Sequence, residues 1–223
     1  MNGSPIRASS LQMPALLGGG PGGAQPAAPS DRGIDLPDLG PCRHRLGLLI
    51  LLFDNSPSVA GGNDLAGTRF AEAALALDRL RRRCQCQREL VAVRTLDRHT
   101  TADVGPVPLS AQGWADVTAA LGAPPEVPQP SSRMRPALVD AERLAHAHPL
   151  HGTTLVVFSD FELLDAFPGL VFDRMAKFPG DVHALVLGTD PPRHLVSIGV
   201  TVSRITADSR SGDVARAVVE ALR

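Results

Sequence analysis

A chain of 223 residues with a net charge of −1 is long enough to bury the core of one domain and carries no electrostatic footprint for nucleic acid or an anionic membrane. Aromatic residues make up 4% and tyrosine is absent, which argues against a base-stacking surface and leaves small aliphatic side chains to build the core. Cys42, Cys84 and Cys86 form no disulfide framework and are expected as unpaired surface thiols.

Residues 1–43 are dominated by Gly, Pro, Ala and Ser, including Gly18-Gly19-Gly20-Pro21-Gly22-Gly23, and cannot bury enough apolar surface to offset the entropy of ordering. They are expected to be a disordered tail ahead of a folded domain over 44–223. No N-terminal charged segment is followed by an apolar stretch, and no apolar run is long enough to span a bilayer, so a soluble cytoplasmic protein is expected.

The run 46–53, Leu46-Gly47-Leu48-Leu49-Ile50-Leu51-Leu52-Phe53, is continuously apolar rather than alternating, the pattern of a strand buried on both faces of a parallel sheet. Beyond it, Phe70, Ala73, Ala74, Leu77 and Leu80 mark a helical face that ends at Arg79, Arg81, Arg82 and Arg83, a solvated helix end. Residues 89–96 read as a second strand and 107–109 as an edge piece that Pro106 and Pro108 keep from pairing fully. Ser110 can cap a helix with Trp114, Val117 and Leu121 inward and Gly122 at its end. A proline-rich surface loop spans 123–130.

The second half repeats the alternation. Met134, Ala137, Leu138, Ala141, Leu144 and Ala145 form a helical stripe, and 153–158 a buried strand. A helix entered near Asp165 and Pro168 carries Phe167, Leu170, Val171, Met175 and Phe178 as its apolar face. Strands over 183–187 and 200–205 and a closing helix over 213–222 complete the chain. This strand–helix alternation predicts a Rossmann-like α/β fold, a doubly wound and mostly parallel sheet flanked by helices.

Chemistry concentrates at the strand ends. Asp54-Asn55-Ser56-Pro57-Ser58 follows the first strand directly and offers a carboxylate and two hydroxyls at alternate positions. In open α/β sheets the crevice beyond the carboxyl ends of the strands takes ligands. Hard oxygen donors of this kind suit an octahedral Mg²⁺ or Mn²⁺ better than zinc or copper. The same residues could instead hydrogen-bond the loop and cap the next helix.

Two further elements join this loop: Ser131-Ser132 ahead of the Met134 helix, and Ser159-Asp160 after the 153–158 strand. Together they resemble the metal-ion-dependent adhesion site of the von Willebrand factor A family, whose signature is Asp-x-Ser-x-Ser, a middle-loop Thr ahead of an Ala-Leu-bearing helix, and an Asp ending the fourth strand. Asp54, Ser56 and Ser58 match the first element. Ser132, in Ser-Arg-Met-Arg-Pro-Ala-Leu, stands at the Thr position, and Asp160, in Val-Val-Phe-Ser-Asp-Phe-Glu, at the last Asp. The resemblance covers about 45–222 and departs at Pro57 and Phe161, where the family usually has Gly, and at Ser132 for Thr.

The resemblance implies that Ser56 and Ser58 coordinate Mg²⁺ or Mn²⁺, Ser132 does so directly or through water, and Asp54 and Asp160 act largely through bound waters. It also implies an open coordination position that a carboxylate of a partner protein fills. The expected function is therefore a non-enzymatic interaction module; the Ala, Arg, Gly and Pro bias suggests a bacterial source, and similar bacterial proteins work beside ATPases in multi-protein assemblies. Two alternatives stand beside it: a Mg²⁺-dependent Rossmann-like hydrolase or phosphotransferase using Asp54, and a metal-free scaffold of the same family. Against an enzyme, position 56 is Ser where a haloacid-dehalogenase-like site needs a second Asp, and no Ser-His-Asp arrangement is evident. His146, His148 and His151 read as a helix end rather than a zinc site. Gly61-Gly62-Asn63-Asp64 lacks the Lys of a phosphate-binding loop. Glu162 and Asp165 stand close enough in sequence to Asp160 to tune its charge, with Asp165 equally able to cap the following helix.

Overall fold

The computed structural model describes residues 34–42, 45–60, 65–83, 86, 88–96, 103–122 and 132–223. Residues 1–33 of the expected tail, Cys84, the 61–64 glycine loop, the 123–130 proline loop and Ser131 lie outside the described residues. Six strands form one sheet: β1 (Gly47–Phe53), β2 (Glu89–Thr95), β3 (Val104–Pro108), β4 (Gly152–Ser159), β5 (Asp181–Leu187) and β6 (Thr201–Ile205). Their order is β3-β2-β1-β4-β5-β6, with all neighbours parallel except the edge pair β2–β3. The helices are α1 (Pro57–Ala60), α2 (Leu65–Arg83), α3 (Ala111–Gly122), α4 (Met134–Ala147), α5 (Pro168–Ala176), α6 (Arg193–Ser197) and α7 (Asp213–Ala221).

The continuous apolar run of β1 is explained by helices on both faces. Leu49, Leu51 and Phe53 point into one core, packed with Phe70 and Leu77 of α2, Val117 of α3 and Val218 of α7. Leu48, Ile50 and Leu52 point into the other, with Met134 and Leu138 of α4, Val171 and Met175 of α5 and Leu195 of α6. Each face therefore removes alternate side chains from water, and no polar position is left along the strand. At the edge, β3 pairs with β2 in an irregular register between Val91 and Val93, as its prolines require.

The strand order places the topological switch between β1 and β4: the chain leaves β1 toward β2 on one side and returns to β4 on the other. Those two strands run in full register from Gly47–Gly152 to Phe53–Phe158, and the ladder extends through Asp54 N–H to the Phe158 carbonyl at 2.8 Å. Asp54 and Asp160 thus emerge side by side at the carboxyl edge.

Several details differ from the sequence expectation. Phe167 and Leu170, expected on the inward face of α5, are 68% and 54% exposed, because Val171, Phe172 and Met175 already fill that face. Arg83, expected in solvent, is largely covered and donates to the Leu39 carbonyl and to Glu89. Leu39, from the stretch assigned to the tail, is buried in the α2–α7 core. Cys42 is disulfide-bonded rather than unpaired, while Cys86 carries a free thiol 3.6 Å from the Cys42 sulfur. Among the described residues no helix is long and apolar enough to cross a membrane.

Candidate metal and partner site

The Asp54 loop turns sharply because Asp54 folds back on it. Its Oδ1 accepts from the Ser56 backbone N–H at 2.8 Å, an Asx turn that aims the next side chains over the sheet edge. Pro57 then opens α1 at its first position, where a missing N–H costs nothing. The result brings the Ser56 and Ser58 hydroxyls to 3.1 Å from each other. Ser56 is buried and Ser58 exposed, so the pair runs from the floor of a cleft to its mouth.

Ser56, Ser58 and Ser132 line one cleft of about 340 Å³, with Glu162, Leu163 and Leu164 on its other side. Ser132 is held there by its carbonyl, which accepts from Leu164 N–H at 3.3 Å. The first turn of α4 beside it has no cap of its own, and Asp165 supplies one: its two carboxylate oxygens accept from Met134 N–H at 2.8 Å and Arg135 N–H at 3.2 Å. Asp165 therefore caps α4, the helix behind Ser132, rather than α5, and fastens the 161–167 loop across the cleft.

The two acids stand outside the cleft's lining. Asp54 is fully buried and Asp160 is 5% exposed. Ser159, the last residue of β4, donates its hydroxyl to Asp54 Oδ2 at 2.6 Å and accepts from Phe161 N–H at 2.9 Å. Sequence reading placed Ser159 at the loop without a role; its role is to position the Asp54 carboxylate, a contact across 105 residues that no local pattern signals. Asp160 repeats the Asx turn, with Oδ1 accepting from Glu162 N–H at 3.0 Å.

Burial pushes the Asp54 carboxyl up from its ordinary value of 3.8, the hydrogen bonds from Ser159 and Ser56 pull it down, and the Asp160 charge pushes it up again. Arg69 of α2 is the counter-charge, a residue that sequence reading passed over. It is fully buried and donates to the Asp54 carbonyl at 2.7 Å. Burial pushes its guanidinium down to about 10 while Asp54 and Asp160 hold it charged, and its Nε and Nη1 atoms have no hydrogen-bond partner among the described residues.

Phe161 adopts a left-handed conformation with φ of 58°. That is the physical reason a Gly suits this position, and the strain is held by packing: Phe161 is buried and stacks on Phe172. The histidines are at a helix end as expected, with His148 at the C-cap of α4 and His146 Nδ1 against the Glu142 carbonyl.

The donor set fits a hard divalent cation. Three hydroxyl-bearing residues line the cleft, Asp54 and Asp160 are buried at the same sheet edge outside that lining, and a cation would relieve the burial and repulsion that oppose ionised Asp54. Among the described residues no group of three or more His, Cys, Asp or Glu side chains converges as a metal site, so such an ion would rest on hydroxyls and water as much as on acids.

Neither protein-family models nor curated sequences match the chain. Solved structures do. The pilus adhesin SpaC of Lactobacillus rhamnosus GG is similar over 81% of this chain and 30% of its own, at 12% identity and a TM-score of 0.61. A von Willebrand factor type A protein of Catenulispora acidiphila aligns over 80% of this chain and 42% of its own, at 15% identity and 0.59. BatB of Bacteroides thetaiotaomicron aligns over 79% of this chain and 97% of its own, at 12% identity and 0.55. The chain thus spans less than half the length of the first two. At such identities the likeness is one of fold: this is a six-stranded α/β domain with the fold of a von Willebrand factor A domain.

Proposed function

We propose that the chain is a non-enzymatic interaction module that binds Mg²⁺ or Mn²⁺ in the hydroxyl-lined cleft and takes a carboxylate from a partner protein. The observation that carries this reading is convergence. Ser56 and Ser58 from one loop and Ser132 from another line one cleft, with Asp54 and Asp160 buried at the same sheet edge. Ser56, Ser58 and Ser132 would hold the ion directly or through water, and Asp54 and Asp160 would act through water. The ion, when bound, supplies a positive centre with an open position for an acidic side chain. A nucleophilic role for Asp54 is disfavoured by its burial and by the engagement of both its carboxylate oxygens. The similarity to a bacterial adhesin and to BatB fits a place in a bacterial protein assembly.

One observation favours a metal-free scaffold: Arg69 already places a positive charge beneath the loop. Thermal unfolding with Mg²⁺ or Mn²⁺ decides between the two. Metal at 100 times its dissociation constant stabilises the native state by about 2.7 kcal/mol, or roughly 5–11 °C for a domain of this size. Ser56→Ala/Ser58→Ala should lose that shift. A wild type with no shift, or a double variant with the same one, would overturn the metal reading.

A further inference from the structure

The loop that closes the cleft carries more apolar surface than the fold uses. Leu164, Phe167 and Leu170 are 60%, 68% and 54% exposed, and residues 166–170 are exposed without interruption. The single charge in the 163–170 stretch, Asp165, has both carboxylate oxygens turned onto α4 amides. The 163–170 segment therefore presents large apolar side chains with no free ionic group of its own, and the adjoining Glu162, exposed, faces the cleft. Nor is it a frayed segment: Leu164 N–H bonds the Ser132 carbonyl, Asp165 caps α4, and Leu170 N–H bonds the Phe167 carbonyl at 3.0 Å. A pinned, exposed apolar segment of this kind marks a contact surface.

Its position says what contacts it. Leu163 and Leu164 line the same cleft as Ser56, Ser58 and Ser132, and Phe167 and Leu170 follow them at the N-cap and first turn of α5, so a chain that reaches the hydroxyls along this wall lays its neighbouring residues against them. We propose that this patch is the second half of the partner-binding surface and takes a bulky apolar side chain, Leu, Ile, Met or Phe, flanking the partner's acidic residue. A protein segment is favoured over a lipid surface because the apolar residues adjoin the cleft hydroxyls and the acidic Glu162, which an anionic headgroup would meet unfavourably, and the 163–170 stretch itself holds no Lys or Arg. The proposal rests on the metal-dependent reading of the cleft and specifies the partner that reading leaves undefined.

The test uses synthetic heptapeptides with a central Glu flanked either by Leu and Phe or by Ser, plus a Gln-centred control, with binding followed by fluorescence anisotropy in Mg²⁺ and in EDTA. The apolar-flanked Glu peptide should bind in Mg²⁺ at least about tenfold more tightly than the Ser-flanked one, the gain expected from covering one large apolar side chain. Phe167→Ser/Leu170→Ser should erase that difference while keeping the Mg²⁺ thermal shift of the wild type. Equal binding of the two Glu peptides, or an undiminished preference in the double variant, would overturn the proposal. A Mg²⁺ thermal shift without binding of either peptide sinks the docking surface and leaves the metal reading standing; absence of the shift sinks both. Binding to phosphatidylcholine vesicles that the double variant loses, with no peptide preference, would reassign the patch to a membrane and likewise overturn it.

Discussion

Replacing Glu72 by Ala should be among the most damaging substitutions in the molecule, although Glu72 touches neither the cleft nor the patch. Its carboxylate, 3% exposed, accepts from the backbone N–H groups of Gly212 at 2.7 Å, Val214 at 3.0 Å and Ala215 at 3.2 Å. These are donors at the start of α7, whose N-cap, Gly212, lies in the left-handed region with no side chain to offer. Alanine leaves all three orphaned in a buried setting. At about 1–3 kcal/mol for each unsatisfied donor, discounted for water entering the space of the lost side chain, the loss is about 3–5 kcal/mol. Glu72→Gln keeps one acceptor and turns an amide against the remaining donors, so about half that loss is expected. Urea unfolding followed by circular dichroism should show a lower midpoint with an unchanged slope. Hydrogen exchange at the 212, 214 and 215 amides should lose protection selectively. A cost below about 1 kcal/mol for Glu72→Ala would refute the capping argument.

Two further substitutions probe the site itself. Phe161→Ala should cost about 3–5 kcal/mol through lost packing, whereas Phe161→Gly should be the milder by about 1 kcal/mol because it releases the left-handed strain at φ 58°; chemical denaturation that ranks Gly below Ala would remove strain from the account. Asp54→Asn should raise the melting temperature without metal and abolish the Mg²⁺ response. The sign follows from a carboxyl whose folded-state pKa is raised: the native state holds the proton more tightly, so stability falls as pH rises above 3.8. The advantage of Asp54→Asn should therefore open as pH rises from the carboxylate range and vanish in acid, which melting curves across pH would show. An advantage that is independent of pH would mean that ionisation is not its source.

How much of this was legible beforehand depends on the range of the interactions. The 46–53 run announced a doubly covered central strand because its apolar pattern is local, and the remaining strands and long helices followed from the same periodicities. Asp54, Ser56, Ser58, Ser132 and Asp160 could be placed on one sheet edge because each directly borders such an element. What escaped was set by contacts distant in sequence. Glu72 caps a helix about 140 residues away, Asp165 caps one 31 residues upstream, and Arg69 bonds the Asp54 carbonyl from the first turns of α2, 15 residues on. Phe167 and Leu170 kept the helical spacing of α5 yet lie outside, since spacing cannot say where the helix axis turns away from the core.

The Ser159–Asp54 hydrogen bond joins the ends of β1 and β4, whose pairing forms the centre of the sheet. The cleft is walled by loops, but the loops that carry Asp54 and Asp160 are anchored on that seam, so it also requires the central pair to be closed. Occupancy of the cleft would then resist whole-domain unfolding as well as local opening of the loops. Amide exchange along the middle of β1 and β4 would slow when the cleft is filled, making the interior of the sheet a reporter of what happens at its rim.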